Sequence, residues 1–269
     1  MDQSISAELQ SAFERLTWSG NEELTPAGAV VFKEALDQAD SYRDDPEVLA
    51  AAVRTLRTCD SLPYTYAGLA YVLLVATRHE GASGESALQA ALEWLEQAQE
   101  IEPDVVDINV IEAMIYIQGG RLEDARMVLD YLHNQDPSSF LLKRAEMAYW
   151  QNAGDYEEAL AWNQNALPEA ETVPQRLRLK SVAADLYLQA GQEEKALEAY
   201  KEALHFDPEN AWLCHRISTM HYEREELQEA AHFNQQALEL NSDMPEAQQL
   251  RETLKERMGS TGLLGRLFG

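Results

Sequence analysis

The 269-residue chain sets 21 Lys and Arg against 47 Asp and Glu, a formal charge of -26, which repels nucleic acid and anionic bilayers at long range and argues against non-specific DNA or RNA binding. With 45% apolar residues and nine prolines it is composed for folding, not for disorder. Cys59 and Cys214 are too few and too far apart for a disulfide framework or a Cys-x-x-Cys site. Residues 1 to 14 carry Asp2, Glu8 and Glu14 and no sustained apolar stretch, so they do not read as a signal peptide, and the most apolar run, Ala67 to Ala76, is too short to span a bilayer. A cytoplasmic, reducing compartment and no transmembrane segment are the expectation.

In chain order, Ala7 to Leu16, Pro26 to Ser41 and Pro46 to Thr58 are helical by apolar periodicity but fit no repeat, and residues 1–62 are expected to form a divergent helical cap. Tyr64 to His79 reads as a helix followed by a Gly81 to Gly84 loop, and "ALQAALEWLEQAQEIEPDV" reads as a second helix stopped at Pro103. From Val106 onward the pattern becomes regular. Ala91, Ala125 and Ala159 are spaced by 34 residues, as are Ala196 and Ala230. The interval from Ala159 to Ala196 is 37, which places three extra residues near Pro168 to Pro174. Surface loops tolerate such insertions cheaply, so a longer connection is expected there without loss of the stack.

The clearest unit runs from Leu177 to Asn210. Ala183, Ala184 and Tyr187 belong to its first helix, Gly191 turns the chain, Ala196, Leu197, Tyr200, Ala203 and Leu204 recur at helical spacing, and Asp207-Pro208 stops the second helix. Ala184 and Ala196 sit where paired helices approach most closely, and a long side chain there would force them apart. These residues resemble the tetratricopeptide repeat family. The unit from Val106 to Ser139 resembles it through Ala113, Tyr116, Gly120, Ala125 and Pro137, and the unit from Phe140 to Val173 through Tyr149, Gly154, Tyr156, Ala159 and Ala166. The unit from Ala211 to Met244 departs from the pattern, with Ser218 as its small residue, His221 in place of tyrosine and Ser242 in place of the terminal proline. The resemblance implies an all-α, right-handed alpha-alpha superhelix, a solenoid over residues 63–258 in which each helix pair buries its apolar face on the next.

In this family the first helix of each unit lines a concave groove. That register nominates Arg178, Ser181, Asp185 and Leu188, then Trp212, His215, Arg216, Thr219 and Tyr222, with Arg144 approaching from the preceding unit. The set is basic and aromatic on an acidic protein. Arginine pairs bidentately with carboxylates and aromatic faces grip apolar side chains, so the resemblance implies a protein-protein adaptor or scaffold that binds a peptide segment, possibly acidic, of a partner. The opposing reading is that Arg144, Arg178 and Arg216 pair with nearby carboxylates of the chain itself. Some family members clamp a terminal carboxylate with lysine and asparagine; here Asp185 and Thr219 stand at the asparagine positions, and Ser181 and Val110 where a clamp lysine is expected.

Gly81 to Val173 contains four basic residues against eighteen acidic ones, which either steers a cationic segment or simply solvates an outer face. His205, His215, His221 and His232 lack the spacing of ligands on one helical turn, so no metal is expected. No phosphate loop, His-Glu-x-x-His motif or nucleophile elbow occurs, so neither catalysis nor a cofactor is expected. Residues 259–269 are expected to be a flexible apolar tail with Leu263, Leu264, Leu267 and Phe268 around Arg266. It could cap the last repeat, dock on a partner or touch a membrane. Self-association through that tail or the solenoid ends is the alternative function.

Overall fold

The structure is a computed structural model and describes residues 4–42, 45–79 and 84–260. Fourteen α-helices occupy them, and the only β pairing among the described residues is one isolated bridge between Asn21 and Ser61. The tail residues 261–269 and the Gly81 to Ser83 part of the loop expected before α5 lie outside the described residues. The chain divides into two compact units, Met1–Ala170 and Glu171–Gly269. The first holds 30 Asp and Glu against 10 Lys and Arg, net -20, and the second 17 against 11, net -6.

Unit 1 contains α1 (Ile5–Phe13), α2 (Pro26–Asp40), α3 (Pro46–Leu56), α4 (Leu62–Ala76), α5 (Glu85–Ile101), α6 (Val106–Gln118), α7 (Leu122–His133), α8 (Phe140–Ala153) and α9 (Tyr156–Ala166). Consecutive helices pair as α2 with α3, α4 with α5, α6 with α7 and α8 with α9. The apolar run from Ala67 to Ala76 lies in α4, which packs against α1, α2, α3, α5 and α6 and buries every residue of that run. A helix apolar on all sides is one with neighbours on all sides. Gly68 allows the closest approach: a Cβ there would lie 2.4 Å from Leu56 Cδ2 of α3. No helix of the described residues is long and apolar enough to cross a membrane.

Unit 2 contains α10 (Val173–Gln189), α11 (Glu193–Phe206), α12 (Ala211–Glu223), α13 (Leu227–Leu240) and α14 (Pro245–Ser260). α10 pairs with α11 and α12 with α13, while α14 packs on α13. α10 begins four residues before the expected Leu177, because Thr172 and Gln175 form a reciprocal capping box and Pro174 sits in the first turn, where its missing N–H costs nothing. The three extra residues therefore lengthen the first helix and its approach, and the division between the units falls at that point.

The turn inside each regular pair has one geometry. Gly120, Gly154 and Gly191 have φ of 72°, 82° and 70°, and the N–H of the following residue donates to the carbonyl of Tyr116, Trp150 and Tyr187 at 2.8, 2.9 and 2.8 Å. In the Ala211 to Met244 pair, Glu225 takes the same left-handed position at φ 60°, and Glu226 N–H closes the turn on His221 at 2.9 Å. Four turns thus share one hydrogen-bonding scheme, with a non-glycine residue in the fourth. Ala125, Ala159, Ala196 and Ala230 are all fully buried, as the helix-crossing argument requires.

Candidate functional site

The exposed stripe of α10 and α12 follows from what their other faces bury. On α10, Leu179, Ala183, Ala184 and Leu186 turn inward, leaving Arg178, Asp185 and Leu188 partly accessible. On α12, the Asn210 side chain caps Leu213 N–H at 3.0 Å, and Leu213, Cys214, Ile217 and Met220 are buried. Trp212, His215, Arg216, Thr219 and Tyr222 remain partly exposed along the same helix.

Three of the nominated residues converge on a fourth that the sequence placed only in the core. Tyr200 of α11 is fully buried, and its hydroxyl donates to Asp185. Arg216 donates to the same hydroxyl at 3.0 Å and to Asp185 at 3.4 Å. The guanidinium lies 5.5 Å from the Tyr200 ring centroid and 5.7 Å from that of Trp212, and the two rings meet edge-to-face at 6.1 Å. Burial raises the Tyr200 phenol above its ordinary value and Asp185 raises it further. Burial works against the charge of Arg216, but Tyr200 and Asp185 outweigh it and hold the guanidinium above its usual range. Arg216 is therefore a fixed, charged arginine seated on two aromatic faces with 35% of its side chain exposed.

The other nominated residues are placed differently. Ser181 is buried at 5% exposure and does not line an accessible surface. Thr219 donates its hydroxyl to the His215 carbonyl at 3.0 Å, and Tyr222 lies under Arg257 at 5.7 Å. Leu188 packs on the apolar cluster around Tyr200. Burial lowers the pKa of the His215 imidazole, partly offset by Glu246, and its buried Nδ1 makes no hydrogen bond among the described residues.

Arg144 belongs to unit 1 and is 4% exposed, so it presents no open guanidinium. It reaches Asp40 of α2 at 2.7 Å and the hydroxyl of Tyr71 of α4 at 2.7 Å, and that hydroxyl donates to Asp40 at 2.7 Å. The expectation that it approaches a groove is corrected by this internal pairing: a buried guanidinium needs a counter-charge close by, and α2 supplies it. A second internal network surrounds Glu146 of α8, 1% exposed, which accepts from Arg126 at 2.7 and 3.0 Å and lies 2.7 Å from His133 Nε2. Of the four histidines read together, His205 and His232 are exposed, His215 is half-buried and His221 is buried beside Glu226 at 2.5 Å. No group of three residues able to hold a metal occurs among the described residues.

Comparison with known proteins gives this geometry its setting. No curated protein sequence matches the chain. Among solved structures, the chain is similar to that in "Functional Characterization of Pseudomonas Aeruginosa pilF", with 15% identity, 75% of this chain and 86% of the other covered, and a TM-score of 0.58. It is also similar to TTC0263, a thermophilic tetratricopeptide repeat protein of Thermus thermophilus, with 20% identity, 72% and 98% coverage and a TM-score of 0.53. Against the APC/C hetero-tetramer Cut9-Hcn1 the values are 13% identity, 93% of this chain, 48% of the other and a TM-score of 0.60. The tetratricopeptide repeat family profile matches residues 178–210, which span most of α10 and all of α11 with its stop. The chain is therefore an all-α protein built of paired helices that carries a tetratricopeptide repeat at residues 178–210.

Proposed function

We propose that the chain is a non-catalytic adaptor whose accessible α10 and α12 stripe captures an extended, acidic segment of a partner protein. The observation that carries this reading is Arg216, charged, partly exposed and held against Trp212 and Tyr200 by Asp185. Its Nε and Nη2 are held by Tyr200 and Asp185, so the guanidinium is preorganised and its remaining Nη1 edge suits a carboxylate, while Trp212 beside it suits an adjoining apolar side chain. Arg178 lies two turns before Asp185 on the same stripe of α10 and extends the basic surface. The net charge of unit 2, -6 against -20 in unit 1, favours unit 2 for an acidic segment. The buried thiols of Cys59 and Cys214, free of any disulfide, support a reducing, cytoplasmic setting.

The test is a library of acidic peptides of about a dozen residues, screened on immobilised full-length protein and followed by titration calorimetry. The double variant Arg178→Ala, Arg216→Ala should weaken the selected peptide at least about tenfold, roughly 1.4 kcal/mol, with an unchanged helical circular dichroism spectrum. Binding that survives the double variant would overturn this reading. End-to-end self-association, the alternative, finds less support at the C-terminal end. There α14 buries Ala247, Leu254 and Met258 inward and exposes Glu246, Gln248, Gln249, Glu252 and Glu256.

A further inference from the structure

The end of unit 2 contains an unfilled seat. α13 and α14 enclose a cleft of about 370 Å³ lined by Ala231, Asn234, Leu238 and Leu254, with Glu239 and Arg251 at its rim. Its position follows from the packing rule of the unit: each helix rests on its neighbours in the chain, and beyond α14 no further helix is described. Ala231 and Leu254 are nearly fully buried, while Leu238 is only half-covered. Asn234, 2% exposed, donates to the Ala247 carbonyl at 3.0 Å, and its Oδ1 accepts no hydrogen bond among the described residues. The cleft therefore has an apolar wall, an unused acceptor and an acidic rim residue.

We infer that this cleft is the docking site for the chain's own last residues, 261–269, which close the solenoid as a cap. Length permits it. Nine residues reach up to about 30 Å when extended, whereas the stretch of α14 from Arg251 to its end at Ser260 rises only about 14 Å. Direction permits it as well, since α14 ends beside the start of α13: Met258 packs with Ala230 and Leu227, and Arg257 reaches Glu225 at 3.2 Å. Composition supplies the match: Leu263, Leu264, Leu267 and Phe268 offer apolar side chains to the wall, and Arg266, the single base of the segment, suits Glu239. Arg251, the like charge at the rim, is already held by Glu252 at 3.2 Å. The proposal is independent of the peptide stripe on α10 and α12.

The experiment places p-benzoylphenylalanine at position 268 of the full-length chain, irradiates it dilute, and maps the adducts by mass spectrometry. The expected result is an adduct within one chain, on residues of α13 or α14, that is lost when Leu238 is changed to Lys while the circular dichroism spectrum is unchanged. An adduct linking two copies would overturn the proposal in favour of an intermolecular tail contact. Adducts elsewhere on the chain, adducts that appear only on added phosphatidylcholine-phosphatidylglycerol vesicles, or a yield indifferent to Leu238→Lys would also overturn it.

Discussion

Glu225 shows how one side chain can depart from a rule that its own chain states three times. At the equivalent turns glycine occupies the left-handed region, whereas here a side chain does so at φ 60°, with an exposed ion pair to Arg257 in return. Glu225→Gly should raise stability by about 0.5–1 kcal/mol, read as a higher urea midpoint, because an exposed pair returns less than the strain costs. The departure was visible in the sequence as a missing glycine. The fate of Arg144 was not, since its partner Asp40 lies in a helix that fits no repeat register. Arg144→Ala should leave Asp40 buried without its nearest counter-charge and cost roughly 3–5 kcal/mol, measurable by urea denaturation followed by circular dichroism. His215 makes a pH prediction. Burial lowers its folded-state value, and Arg216 acts in the same direction. The unfolded chain thus binds a proton that the folded chain resists, so stability is complete above the unfolded value, about pH 6.5, and falls as pH drops below it towards the folded value. His215→Gln should flatten that loss below about pH 6.5.

At the scale of helices, small residues at crossings were the most legible feature, because an alanine that separates two backbones has no substitute that preserves the distance. Ala196, fully buried, is the strongest case: Ala196→Leu should destabilise the α10–α11 pair by about 1–3 kcal/mol and broaden its unfolding transition. Helix starts were less legible than stops. The Thr172 to Gln175 capping box is written in the sequence, yet the family register drew the boundary to Leu177. The triad of Asp185, Tyr200 and Arg216 was legible in two of its members only. Periodicity assigns Tyr200 to the core correctly, but it cannot say that the hydroxyl at the end of a core ring reaches the stripe where Arg216 lies.

For the molecule as a whole, helix pairing was readable from Val106 onward, where glycine turns, crossing alanines and proline stops recur together. The first hundred residues obey a different logic. There α4 replaces the one-sided apolar stripe of a repeat helix with a surface apolar all round, which periodicity reads as a run without a face. Asp40, Tyr71 and Arg144 then tie three helices of that unit across long stretches of sequence. Unit 2 has no such hub among its described residues, since each of its helices answers chiefly to its neighbours in the chain.

This difference governs how the molecule comes apart. In unit 2, helices linked mainly to their neighbours can be lost one after another, so amide exchange should be fastest in α14 and slow progressively towards α11. In unit 1, α4 touches five other helices, and its release removes support from all of them together. That unit should therefore show one shared opening energy over α2 to α6, and partial digestion should leave it either whole or gone.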